Sequence, residues 1–293
     1  MSATIEFSGR VVHRVGYGAM QLSHGRNRLC QDEAVELLRA VASLGVGHVD
    51  TAEFYGDGAV NRAIGRAFPD ASDSPLIATK VGAREAPGAT SALISAQSPA
   101  ELREDVEANL RSLRRERIDL VYLRRLDVAP GIIAPEKQRF PLADQLAELV
   151  AMRGEGLIGS IGLSNVSAEQ LTEALPAEIV AVQNLYNLVD RENEPVLELT
   201  RAHGIAWIPY MPLGSGFAGH THVTELPAVI SAAKELGTTP GQVGLAWLLA
   251  RYDRTMLIPG SLDLAHVRDN LAAAELDLGA RGTASWAAEG TVA

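Results

Sequence analysis

The chain has 293 residues, 47% hydrophobic and 21% charged, ordinary proportions for a globular protein with a sizeable core. Its net charge is −10, with no basic run longer than two residues, which argues against nucleic acid because phosphate neutralisation takes clustered Lys and Arg. The single cysteine, Cys30, forbids an internal disulfide or a multi-cysteine zinc site, and no stretch nears the ~18 apolar residues of a membrane span, so a soluble cytoplasmic protein with no membrane partner is expected.

Short β-rich runs alternate with helical patterns along the chain. The opening IEFSGRVVHRV is expected to form a hairpin. Strand-like runs follow at 15–20 (VGYGAM), 47–52 (GHVDTA), 76–81 (LIATKV), 119–126 (DLVYLRRL), 159–165 (GSIGLSN), 179–186 (IVAVQNLY), 206–213 (AWIPYMPL) and 255–260 (TMLIPG). Helical spacing occupies 32–44 and 58–68, and Cys30 reads as a surface or helix-start residue just before the first of these. Ser98 and Pro99 then open a long helix, Ser98 as N-cap and Pro99 at the first helical position. Further helices are expected over 141–155, after the cap Ser167, over 193–204 and 226–237, after Thr239-Pro240, and over 265–276. The segment after about 277 reads as Gly- and Ala-rich loop.

Eight strand–helix units point to an α/β fold, a closed (β/α)8 TIM barrel, with the N-terminal hairpin closing its bottom. An open doubly wound sheet is the competitor. It usually carries GxGxxG after the first strand, and GYGAMQL (16–22) has only GxG. With no linker or repeat, one domain spanning 1–293 is expected.

Barrel active sites form where strands end. DTAEFYG (50–56) and IATK (77–80) put Asp50 and Lys80 at the ends of two successive strands, with Tyr55 just beyond the first. A phenol with a free pKa near ~10 can protonate a developing alkoxide when a cation lowers that value. Lys80 supplies the cation and Asp50 fixes the ammonium. Alone, the Asp could cap a turn, the Tyr stack on a loop and the Lys sit in solvent. At adjacent strand ends together, these plainer readings lose.

The segments GYGAM (16–20), HVDTAEFYG (48–56), IATK (77–80), IGLSN (161–165), VQNLYN (182–187), YMPLGSG (210–216) and IPGSLDLAHVRDN (258–270) resemble the aldo-keto reductases over the whole chain. GYGAMQL, the Arg at 124 and the last segment resemble the bacterial pyridoxal reductase-like branch. The resemblance implies a (β/α)8 barrel that binds NADPH without a Rossmann fold. It implies Asp50, Tyr55 and Lys80 as catalytic residues. Ser164, Asn165 and Gln183 would hold the nicotinamide carboxamide, and Tyr210 would stack on the ring. Leu213, Gly214 and Ser215 would cover the pyrophosphate. Gly260, Ser261, His266, Arg268, Asp269 and Asn270 would hold the adenosine end, with His266 and Arg268 as cations for a 2′-phosphate. The family often has a basic residue where Gly260 stands, so NADPH is implied ahead of NADH with less force. Met20 and Phe54 would line the substrate pocket.

The fourth catalytic position departs from the family's pattern: Arg124 stands where a His is usual. Arg has no acceptor and cannot shuttle a proton, but it can stabilise an oxyanion or grip an anionic oxygen beside the carbonyl. Pyridoxal, with its phenolate next to the aldehyde, suits that chemistry. The plainer reading is that Arg124 turns away to pair with Asp127 or Glu53. Arg125 should point toward the helices. His48, two residues before Asp50, reads as packed inside the barrel, and the HxH of His220 and His222 lacks further ligands for a metal.

The expected function is NADPH-dependent reduction of an aldehyde or ketone, with a small-molecule carbonyl substrate, in a monomer or weak homo-oligomer. The rival is a dinucleotide-binding regulator with little turnover, for which the missing His speaks. A metal-dependent barrel hydrolase is a further alternative.

Overall fold

The computed structural model describes residues 2–23, 29–86, 93–129, 131–214 and 221–279. The hairpin forms as β1 (Thr4–Phe7) and β2 (Arg10–His13), antiparallel with Phe7 opposite Arg10. Ser8 and Gly9 both take positive φ at the turn, the conformation that matches the twist of a tight hairpin. Phe7 and Val12 are buried in one cluster with Leu76, Leu120, Ala181, Ala206, Ile208 and Met256, so the hairpin plugs one end of the barrel interior.

Seven parallel strands follow: β3 (Tyr17–Gly18), β4 (His48–Asp50), β5 (Leu76–Val81), β8 (Ile118–Arg124), β9 (Ile158–Ser164), β10 (Ile179–Gln183) and β11 (Ala206–Trp207). They lie side by side in the order β11-β10-β9-β8-β5-β4-β3. Residues 255–257 close the ring. Thr255 bridges Trp207 on one edge and Leu257 bridges Val15 on the other. The Met256 N–H donates to the Trp207 carbonyl at 2.9 Å and the Gly16 N–H to the Leu257 carbonyl at 2.8 Å. The eighth stave is thus two bridges rather than the full strand expected over 255–260, and β11 is far shorter than 206–213. Pro209, Pro212 and Pro259 have no N–H to give a ladder.

The helices match their expected positions: α1 (Gln31–Ser43), α2 (Ala59–Ala67), α3 (Pro99–Leu113), α4 (Leu142–Gly154), α5 (Ala168–Ala174), α6 (Glu194–Ala202), α7 (Pro227–Leu236), α8 (Pro240–Arg251) and α9 (Leu264–Ala272). Ser98, Ser167 and Thr239 each accept the third helical N–H, while Glu101, Gln170 and Gln242 reach back to the cap, a reciprocal box at each start. Cys30 is the exposed residue before α1. An antiparallel pair, β6 (Ala83–Glu85) with β7 (Leu93–Ser95), had no counterpart among the expected strands.

Strand parity decides what faces inward. Leu76 and Ala78 on β5, Leu120 and Tyr122 on β8, and Ala181 on β10 fill the lumen. Gly162 makes room for the Tyr122 ring, since a Cβ there would stand 2.5 Å from it. The same parity, carried one step further, turns Lys80, Arg124 and Gln183 into the open end. Their odd-numbered neighbours on β5 and β8, among them Ile77, Val121 and Leu123, pack against the helices. Among the described residues, no helix is long and apolar enough to cross a membrane.

Candidate active site

Asp50, Lys80 and Tyr55 meet at the mouth. Lys80 Nζ donates to Asp50 Oδ1 at 2.5 Å, to the Thr51 carbonyl at 2.9 Å and to Tyr55 Oη at 3.2 Å. Lys80 is only 3% exposed, and an ammonium so placed needs paired charge and filled hydrogen bonds. Burial pulls its pKa down, but the Asp50 carboxylate and the Tyr55 oxygen outweigh burial, and the net direction is upward. Asp50 is gripped from its other side by Gln183 Nε2, which donates to Oδ2 at 2.8 Å. The Phe54 ring packs edge-on against Tyr55 with centroids 5.2 Å apart, and Met20 lies exposed at the rim.

Ser164 Oγ is buried and makes no hydrogen bond among the described residues. Asn165 takes a left-handed φ of 59° just past the end of β9. Its amide donates to the Val128 carbonyl at 2.6 Å and the Arg125 carbonyl at 3.3 Å, and its Oδ1 accepts from Tyr210 Oη at 3.3 Å. Asn165 therefore already has structural work, fastening the turn after β9 to the turn after β8. Burial pushes the Tyr210 phenol up, and the charge of Arg124 opposes that shift.

Arg124 and Arg125 diverge. Arg125 points into the helix layer, as strand alternation requires. Its Nη1 contacts Gln145 of α4 and donates to the Phe140 carbonyl at 3.2 Å, while Nε and Nη2 together grip both oxygens of Asp127. Arg124 is half-buried, its Nε is fully enclosed, and its guanidinium makes no hydrogen bond or ion pair among the described residues. The reading in which it turns away to a carboxylate is overturned. Asp127 is taken by Arg125, and Glu53 accepts from Asn61 and Ser112. Sequence reasoning missed Gln97, whose Nε2 donates to the carbonyls of Gly82 at 2.6 Å and Arg124 at 2.9 Å and so fixes the end of β8. No local pattern marks a residue whose partner is 27 positions away.

His48 is packed inside the barrel, as expected. Burial above all pushes its pKa down to about 4, so the ring is neutral. Leu213 packs over Gly244 of α8, and Gly214 adopts a φ of 96° that only glycine tolerates cheaply. Ser215 and His220 lie outside the described residues. At the far side of the mouth, Ser261 accepts from the Asp263 N–H at 3.1 Å, and its carbonyl accepts from Tyr17 Oη at 2.8 Å. Asp263 caps α9, on which His266 and Arg268 are exposed and Asp269 and Asn270 are half-buried. Gly260 sits so close to β3 that a Cβ would stand 2.4 Å from the Gly18 carbonyl oxygen. Among the described residues, no group of three or more His, Cys, Asp or Glu could hold a metal ion.

A family model described as the aldo/keto reductase family matches residues 14–288. The chain is 40% identical over 282 residues to pyridoxine 4-dehydrogenase of Escherichia coli, covering 94% of each chain. It is 33% identical to an uncharacterized oxidoreductase of Schizosaccharomyces pombe, covering 99% of this chain and 90% of that one. Among solved structures, an aldo/keto reductase from Klebsiella pneumoniae in complex with NADP and acetate superposes with a TM-score of 0.78 at 24% identity, covering 96% of this chain and 93% of that one.

Proposed function

The chain belongs to the aldo/keto reductase family, and on that premise we propose that it reduces an aldehyde or ketone to an alcohol with NADPH. The observation that carries the reading is the buried chain Asp50–Lys80–Tyr55 at the barrel mouth. Tyr55 is the proton donor. Lys80 is the cation that makes phenolate formation affordable, and Asp50 with Gln183 holds Lys80 in place. Asp50 is acceptor only and Lys80 donor only, so the proton that reaches the substrate oxygen comes from the one group that can both give and regain it.

The polar groups at the mouth fit a nicotinamide carboxamide. Ser164 Oγ is buried with no partner among the described residues, and such a hydroxyl can donate to a carbonyl or accept from an amide. Asn165 Oδ1 and Gln183 Oε1 are acceptors for the amide hydrogens, while their own amide donors are already engaged. NADPH, when bound, supplies the hydride. Tyr210 offers the ring face, Leu213, Gly214 and Ser215 the pyrophosphate loop, and Gly260, Ser261, His266, Arg268, Asp269 and Asn270 the adenosine end.

Arg124 sets the substrate class. A guanidinium with no partner among the described residues, in a partly water-excluded mouth, is paired once an anionic oxygen arrives. We place there the carbonyl oxygen or a neighbouring phenolate, as in pyridoxal, with Met20 and Phe54 lining the pocket. The name of the Escherichia coli relative agrees with that substrate. The test is NADPH oxidation with pyridoxal and a panel of plain aldehydes. Turnover that Tyr55→Phe abolishes supports the reading. Tight NADPH binding without turnover of any carbonyl would favour the dinucleotide-binding regulator instead.

A further inference from the structure

Behind the mouth, on the outer side of β4 and β5, buried polar side chains tie the strand ends to α2 and α3. Asp50 and Lys80 face the lumen, so their neighbours Thr51 and Thr79 face the helices. Thr51 Oγ1 donates to Asn61 Oδ1 at 2.8 Å, and Thr79 Oγ1 donates to Asn109 Oδ1 at 2.6 Å. Asn61 Nδ2 joins the two, donating to Asn109 Oδ1 at 2.8 Å and to Glu53 Oε2 at 2.6 Å. Ser112 Oγ donates to the same Glu53 oxygen at 2.6 Å, and Asn109 Nδ2 to the Asp105 carbonyl at 2.8 Å. Thr51, Asn61, Thr79 and Asn109 are each 0% exposed.

The bonds that join the two asparagines leave no spare capacity at the shared atoms. Asn61 has two amide hydrogens and its two shortest contacts use both, while Asn109 Oδ1 has two lone pairs and both are filled. Its neighbours on the same helix faces, Val60, Ile64, Leu102 and Val106, are apolar, so apolar residues could have filled the space without desolvating two amides. A satisfied buried network, unlike an apolar contact, fixes one arrangement. Each tie is one or two residues from a member of the triad. Thr51 follows Asp50, and its carbonyl also accepts from Lys80 Nζ at 2.9 Å. Thr79 precedes Lys80, and Glu53 precedes Tyr55 by two residues.

We infer that Asn61, acting through Asn109, is a positioning residue: it sets the spacing of the Asp50 and Lys80 strand ends and the approach of Tyr55 to Lys80. It touches neither substrate nor cofactor. The inference rests on the reductase reading above.

Steady-state kinetics on Asn61→Leu, Thr79→Val and Thr79→Ser, alongside thermal unfolding, test it. Thr79→Val is nearly isosteric and removes only the hydroxyl tie, so it guards against an Asn61→Leu that fails to fold. Both variants are expected to lose roughly 10- to 100-fold in kcat, the scale of a small misplacement of reacting groups. KM for the carbonyl should stay within about threefold, because ground-state binding is untouched. Thr79→Ser keeps the hydroxyl and should keep kcat despite a lower Tm. Asn61→Leu with Asn109→Leu should lose no more than the worse single variant, since both break one chain. A wild type that turns over, with Asn61→Leu and Thr79→Val lowering Tm at unchanged kcat, overturns the positioning role alone. So does a Thr79→Ser that loses as much kcat as Thr79→Val. A wild type that turns over no carbonyl overturns the reductase reading and this inference with it.

Discussion

Arg125 grips both oxygens of Asp127 through its Nε and Nη2, while Arg124, the residue before it at the end of β8, carries its charge into the barrel mouth with no partner among the described residues. Pairing Arg125 removes the carboxylate nearest in sequence that could have neutralised Arg124. That Arg124 pairs with no carboxylate among the described residues is therefore a consequence of how the end of β8 is satisfied.

Arg124→Gln should separate substrates by class. A hydrogen bond to a charged group is worth about 1.5–3 kcal/mol, or roughly 10- to 100-fold. The expected result is that much loss in kcat/KM for pyridoxal and other carbonyls flanked by an anionic oxygen, with smaller loss for plain aldehydes. Equal kinetics on every substrate would make Arg124 a bystander. Arg124→His should retain the fold and shift preference toward plain aldehydes.

Asp50→Asn removes one half of a buried ion pair and leaves Lys80, 3% exposed, facing a neutral amide. Breaking a buried pair from one side typically costs about 3–5 kcal/mol, because the surviving charge is stranded. Urea unfolding should show a loss of that order. Lys80→Met should cost less: the Asp50 carboxylate keeps its bond from Gln183, whereas in Asp50→Asn the buried ammonium loses its anionic partner. A smaller loss for Asp50→Asn than for Lys80→Met would contradict this asymmetry.

Two buried groups give opposing pH dependence. His48 has its pKa pushed from 6.5 to about 4, chiefly by burial. Below pH 6.5 the unfolded chain takes that proton first, so stability falls from there down to about pH 4. Asp105 has its pKa pushed from 3.8 up to about 6, again chiefly by burial, with Arg84 opposing. Above pH 3.8 the unfolded chain loses that proton first, so stability falls as pH rises to about 6. Each costs about 3 kcal/mol of stability at the far end of its window. Relative to wild type, Asp105→Asn should become less stable as pH drops through this range, and His48→Leu should become more stable. Chemical unfolding at several pH values checks both slopes.

The sequence carried the fold well where local chemistry decides it. The reciprocal boxes at Ser98, Ser167 and Thr239 involve residues three apart, and the eight apolar runs mark the eight staves. Strand ends were overrun where Pro209 and Pro259 cut the ladder inside a β-rich run. The β6–β7 pair was invisible because AREAPGATSALIS reads as a Pro- and Gly-bearing loop. At the site, Asp50, Tyr55 and Lys80 were legible because a short motif places them. Gln183 is named through the resemblance alone, as a carboxamide-holding residue, and its bond to Asp50 spans 133 positions. Asn61 and Asn109 look like ordinary polar residues on helices, and only packing against β4 and β5 turns them inward.

The adenosine end carries a prediction about cofactor choice. A basic residue at position 260 would have to pass the Gly18 carbonyl oxygen, 2.4 Å from where its Cβ would stand. That contact is backbone and cannot swing aside. A Cβ on Gly18 would likewise stand 2.4 Å from the Ile258 carbonyl oxygen, so β3 and residues 258–260 come together only because both sites lack side chains. Gly260→Lys should therefore destabilise by the roughly 1–3 kcal/mol typical of overpacking, without improving NADPH binding. Charge for a 2′-phosphate then falls to His266 and Arg268, both exposed on α9. Arg268 makes no ion pair among the described residues, so its guanidinium needs no release before it binds. Arg268→Ala is expected to raise the Kd for NADPH by about tenfold, the lower end for a charge-assisted bond in solvent, and to leave NADH unchanged. Fluorescence titration with both dinucleotides measures the ratio. An equal loss for the two would mean that Arg268 shapes the helix rather than reading the phosphate.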